Sequence, residues 1–156
     1  MPRELQMDVR IVSGGQTGAD RAALDWAIQH GIPHGGWCPH GRRAEDGQIS
    51  ERYMLQETPS LDYAQRTEWN VRDSDGTVIF SIAPHLTAGS HLTKYFAEQY
   101  GKPYLHIHKG YTYPARMLLE FLRRYDIHVL NIAGPRASTE PEVGQFVLET
   151  LDETLG

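Results

Sequence analysis

Gly14-Gly15-Gln16-Thr17-Gly18-Ala19-Asp20, near the start of the chain, combines glycines with polar side chains in a way that suits anion binding. Glycines permit backbone angles closed to other residues and leave main-chain N–H groups bare toward a bound group. Thr17 and Asp20 have the spacing of a capping box, which predicts that a helix begins here. Because N–H groups and the dipole at a helix N-terminus favour negative charge, we predict a phosphate or another anion bound by Gly14 to Ala19. A glycine turn with a purely structural role is the alternative.

The glycine spacing argues against two common nucleotide-binding motifs. Gly-Gly-x-x-Gly is neither the dinucleotide fingerprint nor the P-loop with its terminal Gly-Lys-Ser/Thr, which argues against a P-loop kinase or ATPase. A dinucleotide-binding fold also requires an acidic residue about twenty positions further on, which binds the ribose hydroxyl. The corresponding stretch, His34-Gly35-Gly36-Trp37, has no acid.

Three carboxylates near this region could serve as a general acid or base if the protein is an enzyme. Glu45 and Asp46 belong to an irregular, charge-rich segment, and a loop folded over the site would desolvate them and raise their pKa values. Alternatively, and with equal weight, Glu45 and Asp46 are solvated acids of an exposed loop with no catalytic role. Asp20 is favoured as a helix cap over a catalytic group, because its spacing from Thr17 fits that role.

Basic side chains could supply further phosphate contacts, because a guanidinium group can form two parallel hydrogen bonds to an oxyanion. Arg42, Arg43 and Arg136 are the candidates, and Arg43 could instead pair with Glu45 or Asp46 at the surface.

Other side chains suggest chemistry more weakly. Cys38 could ligate a soft metal, although a lone cysteine is most often a small buried residue. His106 and His108 share one face of a predicted strand, but no cysteine or carboxylate stands at ligand spacing, so no metal site is predicted. Aromatic rings of Tyr63, Trp37 and Trp69 could stack on a pterin or purine, or simply fill the core.

The elements that position these residues alternate between strands and helices. Apolar runs predict strands at 9–12, 77–82, 104–107 and 128–133, and helices are predicted after Gly18, after Gly89, from Pro114 and toward the C-terminus. Ser138 or Thr139 is expected to cap the final helix, with Pro141 in its first turn and Glu142 completing a box after Thr139. A short helix is expected from Ser50 to Glu57, and the type of 63–73 is left open.

This alternation predicts an α/β fold, a Rossmann-like three-layer domain with a mostly parallel sheet flanked by helices. Ligands of such sheets bind beyond the carboxyl ends of the strands at a topological switch point. Glycine-bearing turns at Gly14, Gly89 and Gly134 all follow strands, so we expect them to converge on one crevice.

Composition sets the remaining bounds. The 156 residues suit one domain, 1–156, and the formal net charge of -5 argues against nucleic-acid binding. No apolar run reaches the roughly 20 residues that span a bilayer, and Met1–Leu5 has no signal-peptide core, so a cytoplasmic protein without a membrane partner is expected. One cysteine excludes an internal disulfide. Self-association stays open.

The chain resembles a known family through the glycine stretch, Gly36-Trp37-Cys38-Pro39, Ala44-Glu45-Asp46-Gly47 and Ala133-Gly134-Pro135-Arg136. It is similar, nearly end to end, to the putative molybdenum carrier proteins, a circularly permuted YpsA-like branch of the Rossmann-like SLOG superfamily. The resemblance implies a phosphate-bearing ligand held at Gly14 to Asp20, at Gly89-Ser90 and near Gly134 to Arg136. Ser138, which follows the last of these turns, is a further candidate for ligand binding. The Pro-Gly-Gly-x-Gly-Thr signature of the superfamily's phosphoribohydrolases is absent.

These expectations favour a binding protein for a phosphorylated heterocycle, either a nucleotide or a pterin such as the molybdenum cofactor, which it would protect or deliver. The alternatives are a hydrolase that cleaves an N-glycosidic or phosphate bond of a nucleotide, and a nucleotide sensor. The identity of the ligand is unknown from the residues alone.

Overall fold

The computed structural model describes residues 8–156. The first residues of the predicted 1–156 domain lie outside this range. So does Met1–Leu5, the stretch on which the expectation of no signal peptide rests. Within residues 8–156, no helix combines the length and the apolar composition that crossing a bilayer would require.

Nine strands and five helices make up this part of the chain. In order they are β1 (Arg10–Val12), α1 (Ala19–Gln29), β2 (His34–Gly35), β3 (Trp37–Cys38), β4 (Arg43–Ala44), β5 (Gly47–Gln48), β6 (Gln56–Glu57), α2 (Tyr63–Arg72), β7 (Gly76–Ser81), α3 (Ala88–Gln99), β8 (Tyr104–His108), α4 (Pro114–Arg124), β9 (Val129–Ala133) and α5 (Val143–Leu155).

A five-stranded sheet with the order β2-β1-β9-β7-β8 forms the centre, and all its neighbouring strands pair in parallel. The predicted α/β fold with a parallel sheet is confirmed. Strand β2 lies outside β1 at one edge of the sheet, and β8 lies outside β7 at the other edge. Strand β9, the last in sequence, lies between β1 and β7. The switch point therefore lies at the carboxyl ends of β1, β9 and β7.

Helices cover the sheet in two groups, α1, α4 and α5 packing together and α2 packing with α3. Along β7, Val78 and Phe80 join the main apolar cluster with Trp26 and Leu151, whereas Ile79 is equally buried outside that cluster. Alternate strand residues point to opposite faces, so both faces of β7 are covered. A strand buried on both faces explains why its sequence is continuously apolar.

The segment between β3 and β6 contains no helix, so the expected helix from Ser50 to Glu57 is wrong. Instead β4 and β5 form a small antiparallel hairpin, and β3 and β6 pair in parallel. Ile49 and Tyr53 are buried with Leu24 and Cys38 in a second apolar cluster, and the Tyr53 hydroxyl donates to Asp25 at 2.5 Å. Residues 51–53 form a turn, and the burial of Ile49 and Tyr53 in this cluster fixes a non-helical path for the segment.

Both expected capping boxes are wrong in detail. Helix α1 begins at Ala19 after Gly18, without a side-chain cap, and the Asp20 carboxylate accepts from the Gln16 N–H at 3.3 Å. Helix α5 begins only at Val143, after Pro141 and Glu142. Thr17 and Ser138 both bind Glu45 instead, and such long-range partners leave no local sequence signal.

Candidate functional site

A cavity of about 450 Å³ opens at the switch point, a volume within the range of about 300–1,000 Å³ that small-molecule sites occupy. The turns after β1 and β9 and the start of α3 all contribute to its wall, so the predicted convergence of the three glycine-bearing turns is confirmed. Among the predicted site residues, those that line the cavity are Gly14, Gln16, Asp20, Gly89, Ser90, Gly134 and Arg136.

The remaining predicted site residues lie outside the cavity lining. They are Gly15, Thr17, Gly18, Ala19, Arg42, Arg43, Glu45, Asp46 and Ser138. Most of them hold the surrounding loops in place.

The glycine turn after β1 uses most of its N–H groups internally. Gly15 N–H donates to Ser13 Oγ at 3.4 Å, Thr17 N–H to Gln16 Oε1 at 3.0 Å, and Ala19 N–H to the Pro135 carbonyl at 3.2 Å. The Gln16 N–H is held by Asp20. These four groups are thus already satisfied, which argues against the predicted anion cradle built from the backbone of Gly14 to Ala19.

Two glycines of this turn serve close packing. Gly15 has φ +80° and faces the side chains of Leu55 and Ile49, and Gly18 has φ +83° and lies against the Pro135 carbonyl. A side chain at either position would be strained in this left-handed conformation and would press on those neighbours. The purely structural role, the alternative to anion binding, therefore applies to both glycines.

Asp20 forms a buried ion pair in the cavity wall. Its Oδ2 lies 2.7 Å from Arg66 Nη1, and the side chains of Asp20 and Arg66 are 6% and 13% exposed. Burial raises the pKa of Asp20 above its ordinary value, and the Arg66 charge partly opposes that rise. Asp20 thus anchors a cation in the wall and does not pair with Thr17.

Helix α2, in a segment whose type the sequence pattern leaves open, supplies one wall of the cavity. Tyr63, Arg66, Thr67 and Asn70 all line it, at the spacing i, i+3, i+4, i+7. That polar stripe at helical period was the signal available in the sequence. Asn70 fixes the helix to β3, since its amide accepts from the Trp37 N–H at 2.8 Å and donates to the Trp37 carbonyl at 2.9 Å.

Two guanidinium groups lie over the Tyr63 ring. The Cζ atoms of Arg66 and Arg136 are 5.4 and 5.5 Å from the ring centroid, within cation–π range. Arg136 follows β9 at the sheet edge, where it was predicted. Both positive charges therefore meet at one side of the cavity.

Arg42 binds its own loop. Its guanidinium donates to the carbonyls of Ile49, Leu55, Ser50 and Tyr53, at 2.7 to 3.2 Å. These hydrogen bonds occupy N–H groups that could otherwise form a bidentate contact with a phosphate, which argues against the predicted ligand role of Arg42. Arg43 is exposed in β4, outside the cavity lining.

Glu45 ties the β4–β5 hairpin to the edge of the site. Its carboxylate accepts from the Thr17 hydroxyl, from the Ser138 hydroxyl at 2.5 Å and from the Ser138 N–H at 3.1 Å. These donors lower the pKa of Glu45. A bidentate pair with Arg21, at 2.8 and 3.1 Å, likewise lowers the pKa of Asp46. The expected upward pKa shifts of the two loop acids are therefore wrong, because hydrogen-bond donors outweigh desolvation.

The side chains that suggested other chemistry lie outside the cavity lining, apart from Tyr63. Trp37 and Trp69 contact each other edge to face, with ring centroids 4.8 Å apart. Cys38 is fully buried in the second apolar cluster. The rings of His106 and His108 lie 5.7 Å apart. Residues 8–156 contain no group of three or more His, Cys, Asp or Glu side chains that could hold a metal ion.

Comparisons with known proteins agree with this architecture. A protein of solved structure, the "Putative molybdenum carrier protein" from Syntrophus aciditrophicus, is 51% identical over 97% of this chain and 98% of its own, with a TM-score of 0.93. A comparison with curated proteins found no match. The sequence profile of the Circularly permutated YpsA SLOG family matches residues 11–155, and the chain therefore belongs to that family.

Proposed function

We propose that the protein binds a phosphorylated heterocyclic small molecule in the switch-point cavity and carries it in the cytoplasm. The ligand classes are a nucleotide and a pterin such as the molybdenum cofactor. One observation supports this proposal above all: the guanidinium groups of Arg66 and Arg136 both lie over the Tyr63 ring, and all three residues line a cavity of ligand size. Two guanidiniums beside an aromatic ring match a ligand that is anionic at one end and flat at the other.

The N-terminus of α3 supports the anionic end of such a ligand. Thr87 caps this helix by accepting from the Ser90 N–H at 3.3 Å, and Thr87, Ala88 and Gly89 all line the cavity. The positive end of the helix dipole therefore adds to the charge of Arg136. We propose that this corner binds the phosphate, whereas the backbone N–H groups of Gly14 to Ala19 do not.

Apolar groups support the ring end. Leu92 and Ile132 line the cavity together with Tyr63, which gives a flat molecule an apolar contact surface. Asn131 lines the same wall and is anchored to Thr77, its amide donating to the hydroxyl at 3.2 Å.

The similar protein of solved structure is named a molybdenum carrier, which suggests a molybdenum-containing compound as the ligand. The cavity wall offers guanidiniums, amides and hydroxyls, and Cys38 lies apart in the second apolar cluster. This donor set suits an oxyanion, or the phosphate and ring of a pterin, better than direct bonds to a soft metal. We therefore propose that a molybdenum-containing cargo is held through its phosphorylated organic part.

Matched pairs of ligands test the proposal by isothermal titration calorimetry. AMP would be compared with adenosine, and a phosphorylated pterin with its dephosphorylated form. We expect at least one phosphorylated member to bind roughly tenfold or more tighter than its partner, as one lost charge-assisted hydrogen bond predicts. Failure of every phosphorylated compound to bind, or equal affinity within each pair, would refute the proposal.

A nucleotide hydrolase is the second candidate, and the observation in its favour is Asp20. This carboxyl lies in the cavity wall with a pKa raised by burial, as general acids often are. Incubation with nucleoside monophosphates and ADP-ribose, followed by chromatography for released base or phosphate, separates the two functions. Turnover that disappears in Asp20→Asn with binding retained would favour the hydrolase, and tight binding without turnover would favour the carrier.

A further inference from the structure

Gln16 has a side-chain orientation that the structure defines without ambiguity. Its Oε1 accepts two backbone hydrogen bonds, from the Thr17 N–H at 3.0 Å and from the Glu45 N–H at 2.8 Å. A flipped amide would set its NH₂ group against these two donors, which excludes the flip. Nε2 therefore occupies the other end of the amide, where it can only donate.

The Nε2 group finds no acceptor among the described residues, although Gln16 is 4% exposed and forms part of the cavity wall. Buried donors in folded proteins are almost always paired, so an orphaned one calls for an external acceptor.

Arg66 adds a second orphaned donor to the same wall. Its Nη1 is bound to Asp20 Oδ2, which also accepts from the Gln16 N–H, so one carboxylate links the two residues. The Arg66 Nε, like Gln16 Nε2, is buried and has no acceptor among the residues that the structure describes. Two neighbouring residues thus each leave a donor unsatisfied.

We infer that Gln16 is a specificity-determining residue. The part of the cavity wall formed by Gln16 and Arg66 requires that the ligand place an oxyanion oxygen against it. The inference rests on the proposed function of the cavity, and it adds which chemical group must face this wall. A ligand that presents an N–H group there would set donor against donor and be rejected. Glu45 is the positioning residue, because its N–H fixes the amide while its carboxylate is held by Thr17 and Ser138.

Gln16→Glu replaces the Nε2 donor by an acceptor with little change in shape, and Gln16→Met removes the donor without adding a charge. The new carboxylate still accepts from the Thr17 and Glu45 N–H groups, so the turn keeps its hydrogen bonds, but its second oxygen is an acceptor where Nε2 was a donor. Gln145→Glu is the matched control, because Gln145 is exposed on α5 and undergoes the same change of charge. The probe is inorganic phosphate at pH 8, titrated by calorimetry, with circular dichroism to confirm folding.

We expect phosphate binding to weaken by roughly tenfold or more in Gln16→Glu and to stay within about twofold in the control. If Gln16→Glu fails to fold, Gln16→Met replaces it, since this side chain has similar length and no N–H donor, and the same loss is expected. Equal phosphate affinity in wild type and the Gln16 variant, or a wild type that does not bind phosphate, would overturn the inference. A Gln16-dependent phosphate site in a protein that binds none of the phosphorylated heterocycles would uphold it and refute only the proposed function.

Discussion

The buried Asp20–Arg66 pair should be worth much more to stability than an exposed pair of the same geometry. Replacing Arg66 by Met keeps most of the side-chain volume but leaves the Asp20 carboxylate in the wall with the Gln16 N–H, at 3.3 Å, as its remaining hydrogen-bond donor. Removing one partner of a buried ion pair typically costs about 3–5 kcal/mol. That is a large part of the roughly 5–15 kcal/mol by which a domain is stable.

Arg72→Met provides a matched control on the same helix. Arg72 pairs with Asp73 at 2.8 Å, almost the distance found at Arg66, but its side chain and that of Asp73 are 37% and 46% exposed. Exposed pairs contribute about 0–1 kcal/mol because water screens them. The two variants therefore differ mainly in burial of the pair, and the predicted difference in the free energy of unfolding is about 2–5 kcal/mol.

The dependence on pH gives a second signature of the same cause. Burial already raises the pKa of Asp20, and removal of the Arg66 charge would raise it further. An unfolded chain loses this proton near pH 4, whereas the folded variant retains it to higher pH. The deficit of Arg66→Met should therefore grow as the pH rises through this interval, then stay constant above the folded pKa.

Urea unfolding at about pH 4 and pH 8 would measure both signatures. The double variant Asp20→Asn, Arg66→Met should recover much of the loss at pH 8, because it removes the unpaired charge. A deficit that is independent of pH, or no larger than that of Arg72→Met, would refute the assignment of a buried charge pair.

Three further predictions follow from the site. Arg136→Ala should weaken binding of a verified phosphorylated ligand roughly ten- to a hundredfold in calorimetry, whereas Arg116→Ala, on the exposed surface, should not. Since the folded pKa of Glu45 lies below its ordinary value, Glu45 should stabilise docking of the β4–β5 hairpin above about pH 4.5 and lose that effect as the pH falls through the lowered pKa. Hydrogen exchange in the hairpin of the wild type should show this pH dependence, and Glu45→Gln should abolish the dependence. Gly15→Val should lower the thermal midpoint, because φ is +80° and the side chain meets Leu55, whereas Gly89→Ala meets no atom within 4 Å and should not; equal losses would contradict the geometry.

Local patterns were enough for much of the fold. The continuous apolar run of β7 reflects burial on both faces, and the helix that begins at Pro114 follows from proline's fixed backbone angle. Convergence of the turns after β1 and β9 with the start of α3 followed from the parallel sheet alone, since the carboxyl ends of its strands share one edge.

Helix α2 shows where local patterns failed. Tyr63, Thr67, Trp69 and Val71 alternate like a strand, whereas the stripe that faces the cavity is polar and includes Arg66. A search for apolar residues at helical period overlooks such a helix, because its functional face is not its core face. The missed cation of the site lay on that face.

Long-range partners explain the other errors. Thr17 looked like a helix cap, but its hydroxyl donates to Glu45, 28 positions away, and accepts from the Ala137 N–H at 3.1 Å. In the stretch where the Thr139–Glu142 box is predicted, Glu140 accepts from the N–H groups of Ile82 and Ala83 after β7, and helix α5 begins only at Val143. Each contact joins segments distant in sequence, so no local spacing encodes it.

The distribution of acids around the cavity bears on whether a carrier or a hydrolase fits better. Cleavage of a glycosidic bond needs one group to protonate the leaving group and another to activate water, and their pKa values must be separated. Glu45 and Asp46 lie outside the cavity lining, with pKa values lowered by Ser138, Thr17 and Arg21. Asp20 is the one carboxylate among the described lining residues, and its Oδ2 is bound to Arg66. One engaged acid cannot readily fill both roles, whereas Gln16, Arg66 and Arg136 supply the donors that retention of an anionic ligand needs. The chemistry of the wall therefore favours holding a ligand over cleaving it.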